Sequence, residues 1–265
     1  MDCRDIDRAL TRDPNSVAPQ LLELAQEHLT SCERCRALIQ AMNANGNQED
    51  PSAERLLRIE QSLKVDFGPV RPIWPSSHFF AAFAGIFVLI VAIGAYRMGA
   101  FAISVMTPLQ TAAILAGLAA SASLLAYSLV HQMVPGSRHR ISPEFVPAGV
   151  MVLLLLAITG LFQFQHDPRF WARSWACFSA GTPYALFATV PFWLLLRRGA
   201  ILSPRMTGAA AGLLAGLVGT SVLEIHCPNL DAWHILLGHL GVSVLGAIAG
   251  LAIGYVGELA VSRQQ

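Results

Sequence analysis

Six apolar runs constrain this chain more than any other feature. They lie near 79–95, 106–130, 145–165, 174–196, 206–223 and 235–257, and none holds Asp, Glu, Lys or Arg. A hydrocarbon core about 30 Å thick needs about 18 or more such residues in an α-helix. The first run, "FFAAFAGIFVLIVAIGA", is slightly short but unambiguous. With only 13% charged residues, against roughly 25% in an ordinary globular domain, the chain is predicted to be all-α, with a six-helix transmembrane bundle. Gly and Ala crowd the fifth and sixth runs, as in "GAAAGLLAGLVG" and "GVSVLGAIAGLAIG", so these two helices are expected to approach closely.

Lys and Arg near the run ends set the orientation. With a cytoplasmic N-terminus, the inner flanks hold Lys64, Arg71, Arg138, Arg140, Arg197, Arg198, Arg205 and Arg263, and the outer loops hold Arg97, Arg169 and Arg173. The bias of eight to three places both termini inside and turns the loop "EIHCPNLDAWH" outward. The opening "MDCRDIDRAL" is charged from its second residue and lacks the apolar region of a signal peptide, so the N-terminal region is expected in the cytosol.

That region is polar and mildly acidic. Residues 1–71 carry twelve of the seventeen Asp and Glu and nine Lys and Arg. A surface of this sign is a poor match for nucleic-acid phosphates, which need a clustered basic face, and suits a basic protein surface better. An ordinary solvated helix surface would read the same way.

The chemistry of the region lies in "HLTSCERCR", residues 28–36. "SVAPQLLELAQEHL" has apolar residues at helical spacing, which predicts a helix that His28 ends. Thr30 and Glu33 make a capping-box pattern that predicts a new helix from Ser31, with Cys32 and Cys35 in its first turn. A helix N-terminus favours thiolate, and His28 lies one turn away. Zn²⁺ takes four such N and S ligands. Cys3, the one other cysteine in this region, is assigned as the fourth. A head of about 45 residues is small to fold without a staple, and in a reducing cytosol a metal serves where a disulfide would not. The alternatives are free thiols on a helix, or a redox C-x-x-C pair, whose usual βαβ setting is absent.

Cys3, His28, Cys32 and Cys35 in this spacing resemble the zinc-containing anti-sigma domain of bacteria. That resemblance covers roughly the first 45 residues. It implies a short helical module that binds an extracytoplasmic-function sigma factor and hides its polymerase-binding surfaces. A linker, "NANGNQED", follows, and Pro51 opens a helix whose Leu56, Ile59, Leu63 and Phe67 form an apolar stripe. By the same resemblance this stripe also contacts the sigma factor. A helix lying on the head or the membrane would carry it as well.

Residues 206–257, with "EIHCPNLDAWHILLGHLGVSVLGAIAG", are similar to the HCP-containing end of NrsF-type negative regulators, six-span membrane anti-sigma factors of bacteria. The similarity extends over about residues 79–257, strongest at the HCP loop. It implies a bacterial inner-membrane protein in which one cysteine precedes the fourth span and another lies in the HCP motif, matching Cys177 and Cys227. The zinc pattern in front is a departure, because members of that family often have a short N-terminal segment without it. By position alone, Cys177 and Cys227 share one bilayer face, where they can form a disulfide or act as soft metal ligands. Glu224, His226, Asp231, His234 and His239 surround Cys227. Ionisable groups at or inside a span are costly and usually have a purpose, although any one of them can face water at a helix end. As a set they suggest a sensor for a ligand or for redox state.

The resulting division is a zinc head at 1–45, a linker and amphipathic helix at 46–77, a membrane domain at 78–258 and a tail at 259–265. A membrane enzyme or transporter built on the His/Cys/Glu cluster is the competing reading. It would need polar residues along a path, yet five of the six runs also lack His. No nucleophile elbow, phosphate loop or catalytic carboxylate pair is present, so no enzymatic activity is expected.

Overall fold

The computed structural model describes residues 28, 30–37, 40, 53–66, 74–134, 142, 145–201 and 203–262. Two compact units divide the chain, Met1–Arg71 and Pro72–Gln265. Among the described residues all regular structure is helical, apart from one isolated bridge.

In the first unit residues 28, 30 and 31 are helical, Cys32 breaks the run, and residues 33–37 are helical again. The second stretch thus starts two residues later than the Thr30/Glu33 pattern predicts. Arg36 spans this point: its Nη2 donates to the Thr30 carbonyl at 2.8 Å, and its backbone N–H donates to the Cys32 carbonyl at 3.1 Å. Further along, α1 (Ala53–Asp66) carries an Arg58–Glu54 ion pair at 3.0 Å one turn apart. Leu56, Leu57 and Ile59 are exposed on it.

The second unit holds α2 (Ser76–Met98), the short α3 (Phe101–Val105), α4 (Pro108–Met133), α5 (Phe145–Leu161), α6 (Phe170–Leu196) and α7 (Pro204–His226). Last comes α8, made of a first turn Ala232–His234, a π-helical segment Ile235–Leu240 and an α-helical remainder Gly241–Ser262. Five of these helices are long and apolar enough to cross a membrane, and the sixth apolar one, α5, has 17 residues. The third apolar run therefore outlasts its helix. Gln110 Nε2 takes the Leu161 carbonyl at 2.8 Å, and Gln163 then pairs in a parallel bridge with Asp231. Chain that would have continued the helix instead ties the end of α5 to the α7–α8 loop.

α7 is the central helix. In its most apolar stretch 78% of residues are buried, against half or fewer in the other long spans. Large side chains on the outer helices face outward, among them Val88, Leu156, Phe187 and Ile253. An apolar surface of that extent belongs in lipid rather than water, so the lengths and faces fit a multi-pass membrane protein. Aromatic residues mark the two bundle ends, as they do at membrane interfaces. At one end Arg197 lies over Trp193, Arg198 over Trp74 and Arg205 over Tyr255, at 4.7, 4.6 and 4.5 Å. The opposite end, where α6 starts and α7 finishes, exposes Trp171, Trp175 and Trp233 and is called the cysteine end below.

What joins α7 to α8 is backbone against backbone. A Cβ on Gly208 would collide with the Gly250 carbonyl oxygen, one on Gly212 with that of Gly246, and one on Gly254 with that of Pro204. Gly208, Gly212 and Gly216 thus form one four-residue ladder, and Gly246, Gly250 and Gly254 form the facing one. Lipid offers no hydrophobic drive to bring helices together, so such close packing supplies the attraction. Gly212→Ile is expected to destabilise the purified protein by about 1–3 kcal/mol. Gly149→Ala, where an added Cβ meets nothing within 4 Å, should leave melting unchanged, and thermal unfolding in detergent compares the two.

Candidate functional site

Three helices meet at the cysteine end. Cys177 is two turns into α6, Cys227 caps the end of α7, and His234 and His239 begin α8. Glycines set these positions. A Cβ on Gly219 would stand 2.6 Å from the Gly181 carbonyl oxygen, so α6 lies against α7 there. Cys177 is one turn before Gly181 and points the same way. On the α8 side, Gly238 would carry its Cβ 3.1 Å from the Ser174 carbonyl oxygen.

The π-helical segment explains why two histidines five residues apart converge. On an α-helix, at about 100° per residue, they would point about 140° apart. The i→i+5 pattern instead stacks residues five apart. The His234 and His239 rings meet edge to face, with centroids 5.1 Å apart. Thr220 of α7 supports the widened turn, its Oγ1 donating to the His239 carbonyl at 2.8 Å and bonding Ser243 Oγ at 2.8 Å.

One sulfur-centred cluster results. Cys177 Sγ lies 3.5 Å from Cys227 Sγ, and Cys227 Sγ lies 3.4 Å from His234 Nε2. One donor atom from each of Cys177, Cys227, His234 and His239 falls within 4.8 Å of all the others. Ser174 Oγ sits 3.4 Å from His234 Nδ1, and Glu224 Oε1 sits 3.0 Å from His239 Nδ1. His239 Nε2 and Glu224 Oε2 are buried with no hydrogen-bond partner. Cys227, in the loop, accepts the hydrogen bond from Cys177, which lowers its thiol below the ordinary cysteine range; burial opposes this shift, and His234 and His239 reinforce it. Such an arrangement can hold a thiophilic cation or bring two thiols together.

The remaining residues named around Cys227 have other partners. His226 Nδ1 lies 3.3 Å from the Gly99 carbonyl, and its ring meets Phe101 edge-on. Gly99 has φ +89°, which suits only glycine here. Asp231 caps α8 by accepting from His234 N at 3.3 Å, and also accepts from Gln165 N at 2.9 Å. Ser174 and Thr220 were not foreseen. Ser174 stands one helical turn before Cys177, which is the only trace of its role in the sequence.

In the first unit, donor atoms of His28, Cys32 and Cys35 also fall within 4.8 Å of one another. Cys35 is buried there. Cys3 and Phe67 lie outside the described residues, as does the side chain of Leu63, so the fourth ligand and half of the apolar stripe have no geometry here. Leu56 and Ile59 are exposed on α1.

Residues 63–256 match the family described as "Negative regulator of sigma F" (NrsF). The "Probable anti-sigma-F factor NrsF" of Azospira oryzae is 33% identical over 129 residues, covering 43% of this chain and 59% of that relative. The chain thus spans less than two thirds of that relative's length. No solved structure matches.

The 3.5 Å sulfur separation needs to close only to about 2.05 Å for a disulfide. Mild oxidation of metal-stripped protein should therefore join Cys177 to Cys227 within one chain, seen by peptide mapping without reductant. Asp231→Ala should cost about 0.5–2 kcal/mol as a lost cap and speed amide hydrogen exchange at Gln165.

Proposed function

Because the chain belongs to the family of negative regulators of sigma F, we propose that it is a membrane-anchored anti-sigma factor. Its partner is an extracytoplasmic-function sigma factor, sequestered at the cytoplasmic face of a bacterial inner membrane. The N-terminal head holds the sigma factor, and Zn²⁺ shapes that head through Cys3, His28, Cys32 and Cys35. The convergence of the last three within 4.8 Å is the observation that carries the zinc reading. A bound ion would supply no catalysis with all four positions filled by protein; it would fix the turn at Cys32 and so the surface on either side.

The exposed Leu56 and Ile59 of α1 support a role for this helix in the same contact, together with Leu63 and Phe67. Apolar side chains on a polar unit are the sort of surface that a partner covers. Both termini are cytoplasmic in this reading, because Arg197, Arg198 and Arg205 gather at the bundle end opposite Cys177 and Cys227. The cysteine end then faces the periplasm and receives the signal. A transporter or membrane enzyme is disfavoured by the distribution of polar groups. Among the described buried residues of the second unit, the acidic and histidine ones, Glu224, Asp231, His234 and His239, all sit at that one end, and no relay leads from them through the bundle. The protein is accordingly read as a regulator without enzymatic activity.

The test is affinity purification of the full-length protein from its host. A sigma factor should co-purify with the wild type and be lost, by about tenfold or more, in Cys32→Ser/Cys35→Ser and in Leu56→Asp/Ile59→Asp. Equal recovery of the sigma factor by both variants would refute the assignment to the head and α1. No sigma factor with the wild type would refute the anti-sigma reading itself.

A further inference from the structure

We propose that Cys177, Cys227, His234 and His239 form a closed four-ligand site for a divalent cation of the zinc class, clasping α6, α7 and α8 together at the cysteine end. As a statement about signalling this rests on reading that end as the sensing end; as a binding site it stands on its own geometry.

The spacing of the donor atoms fits a metal. Tetrahedral bonds of about 2.3 Å to sulfur and about 2.0 Å to nitrogen place two sulfurs about 3.8 Å apart and a sulfur and nitrogen about 3.5 Å apart. Here the sulfurs are 3.5 Å apart and Cys227 Sγ is 3.4 Å from His234 Nε2. Each histidine also has one nitrogen held from behind. Ser174 Oγ lies at His234 Nδ1 and Glu224 Oε1 at His239 Nδ1. A carboxylate or hydroxyl in that place is the usual support for a metal-bound imidazole, because it fixes the tautomer and aims the other nitrogen.

Burial supplies an independent argument. His239 Nε2 and Glu224 Oε2 are buried with no hydrogen-bond partner, which leaves each desolvated without compensation. A cation bonded to His239 Nε2 removes the first of these orphans. Two thiolates also neutralise a divalent cation, so the filled site adds no net charge to an apolar bundle end. Hard cations want oxygen donors, whereas two sulfurs and two imidazoles select zinc or cadmium. With four protein ligands no position is left for a substrate, so the site is structural. Glu224 is a positioning residue in it, acting through His239.

The experiment uses full-length protein purified in detergent under reducing conditions. Cys32→Ser/Cys35→Ser removes two of the head's ligands, so that metal found in this variant belongs to the bundle. Elemental mass spectrometry should find one zinc per chain, and cobalt in its place should give the absorption of a tetrahedral thiolate complex. Adding Cys177→Ser should abolish both signals. Adding Glu224→Gln instead should keep the cobalt spectrum and weaken zinc retention against a chelator by about 10–100-fold, which preserves a readout should Cys177→Ser not fold. Absence of zinc after growth in zinc-supplemented medium, together with no tetrahedral cobalt spectrum, overturns the clasp. Sigma-factor recovery is scored separately on the wild-type chain. Zinc in the bundle without a sigma factor supports the clasp while sinking the anti-sigma reading, and a sigma factor without bundle zinc does the reverse.

Discussion

The contact of α7 with α8, glycine on glycine, underlies everything else in the second unit. Side chains cannot slide past one another easily where none exist, so the paired ladders fix how far apart the two helices stand and how they are rotated. Any larger residue at Gly208, Gly212, Gly246 or Gly250 meets a carbonyl of the other helix. Once α7 and α8 are locked in this way, Cys227 at the end of one and His234 at the start of the other have little freedom left. The same device seats α6, through Gly181 against Gly219, and Cys177 one turn away is carried into place. Three donor positions thus follow from glycines that hold no ligand themselves.

Polar groups inside such a bundle are expensive unless satisfied, and this chain satisfies most of them locally. Gln132, Ser128 and Thr207 form a buried relay between α4 and α7, with bonds of 3.0 and 2.9 Å. Ser221 donates back to the Leu217 carbonyl at 2.7 Å. These neutral groups knit helices without presenting charge. The cysteine end differs in kind, because there an acid, two thiols and two imidazoles cluster together, and two of their atoms are buried without a hydrogen-bond partner. An excess of donors over partners in one place is what separates a site from a structural network.

The sequence made the fold legible because the signal for it is local and strong. A run of 18 or so apolar residues has one solution in lipid. The end of the third run was not legible, since Phe162, Gln163 and Phe164 do not forbid a helix; Gln110 and Asp231, distant in sequence, decide it. The convergence of His28, Cys32 and Cys35 was legible because the three lie within two helical turns of one another. At the cysteine end, proximity in sequence grouped His226 and Asp231 with Cys227, yet Gly99 and the first turn of α8 claim them. His234 and His239 had been grouped for the same reason, with no account of how both could face Cys227. A π-helical turn brings them together, and no periodicity announces one. Glu224 was singled out for its cost inside a span, and that cost is what its bond to His239 offsets in part.

The two donor sets differ in their surroundings, and the difference bears on what each can do. In the polar unit His28 and Cys32 are half-buried and Cys35 is buried, while at the end of the apolar bundle Cys227, His234 and His239 are buried and Cys177 is half-buried. Donors that water can reach would exchange a bound ion readily; donors sealed by packing would do so only when the helices part. Parting α6 from α7 and α8 at that end requires the glycine contacts to open too, since Gly238 and Gly219 lie within the same few ångströms as Ser174 and Gly181. Close-packed contacts are made or broken rather than stretched. Were an ion held at the cysteine end, a change in its occupancy would therefore be coupled to the position of α7 as a rigid body. The opposite end of α7 is anchored by Thr207 on Gln132, beside Arg205 with its Glu258 partner, so a shift of the helix has to be accommodated there by polar bonds that can exchange partners rather than by packing that cannot.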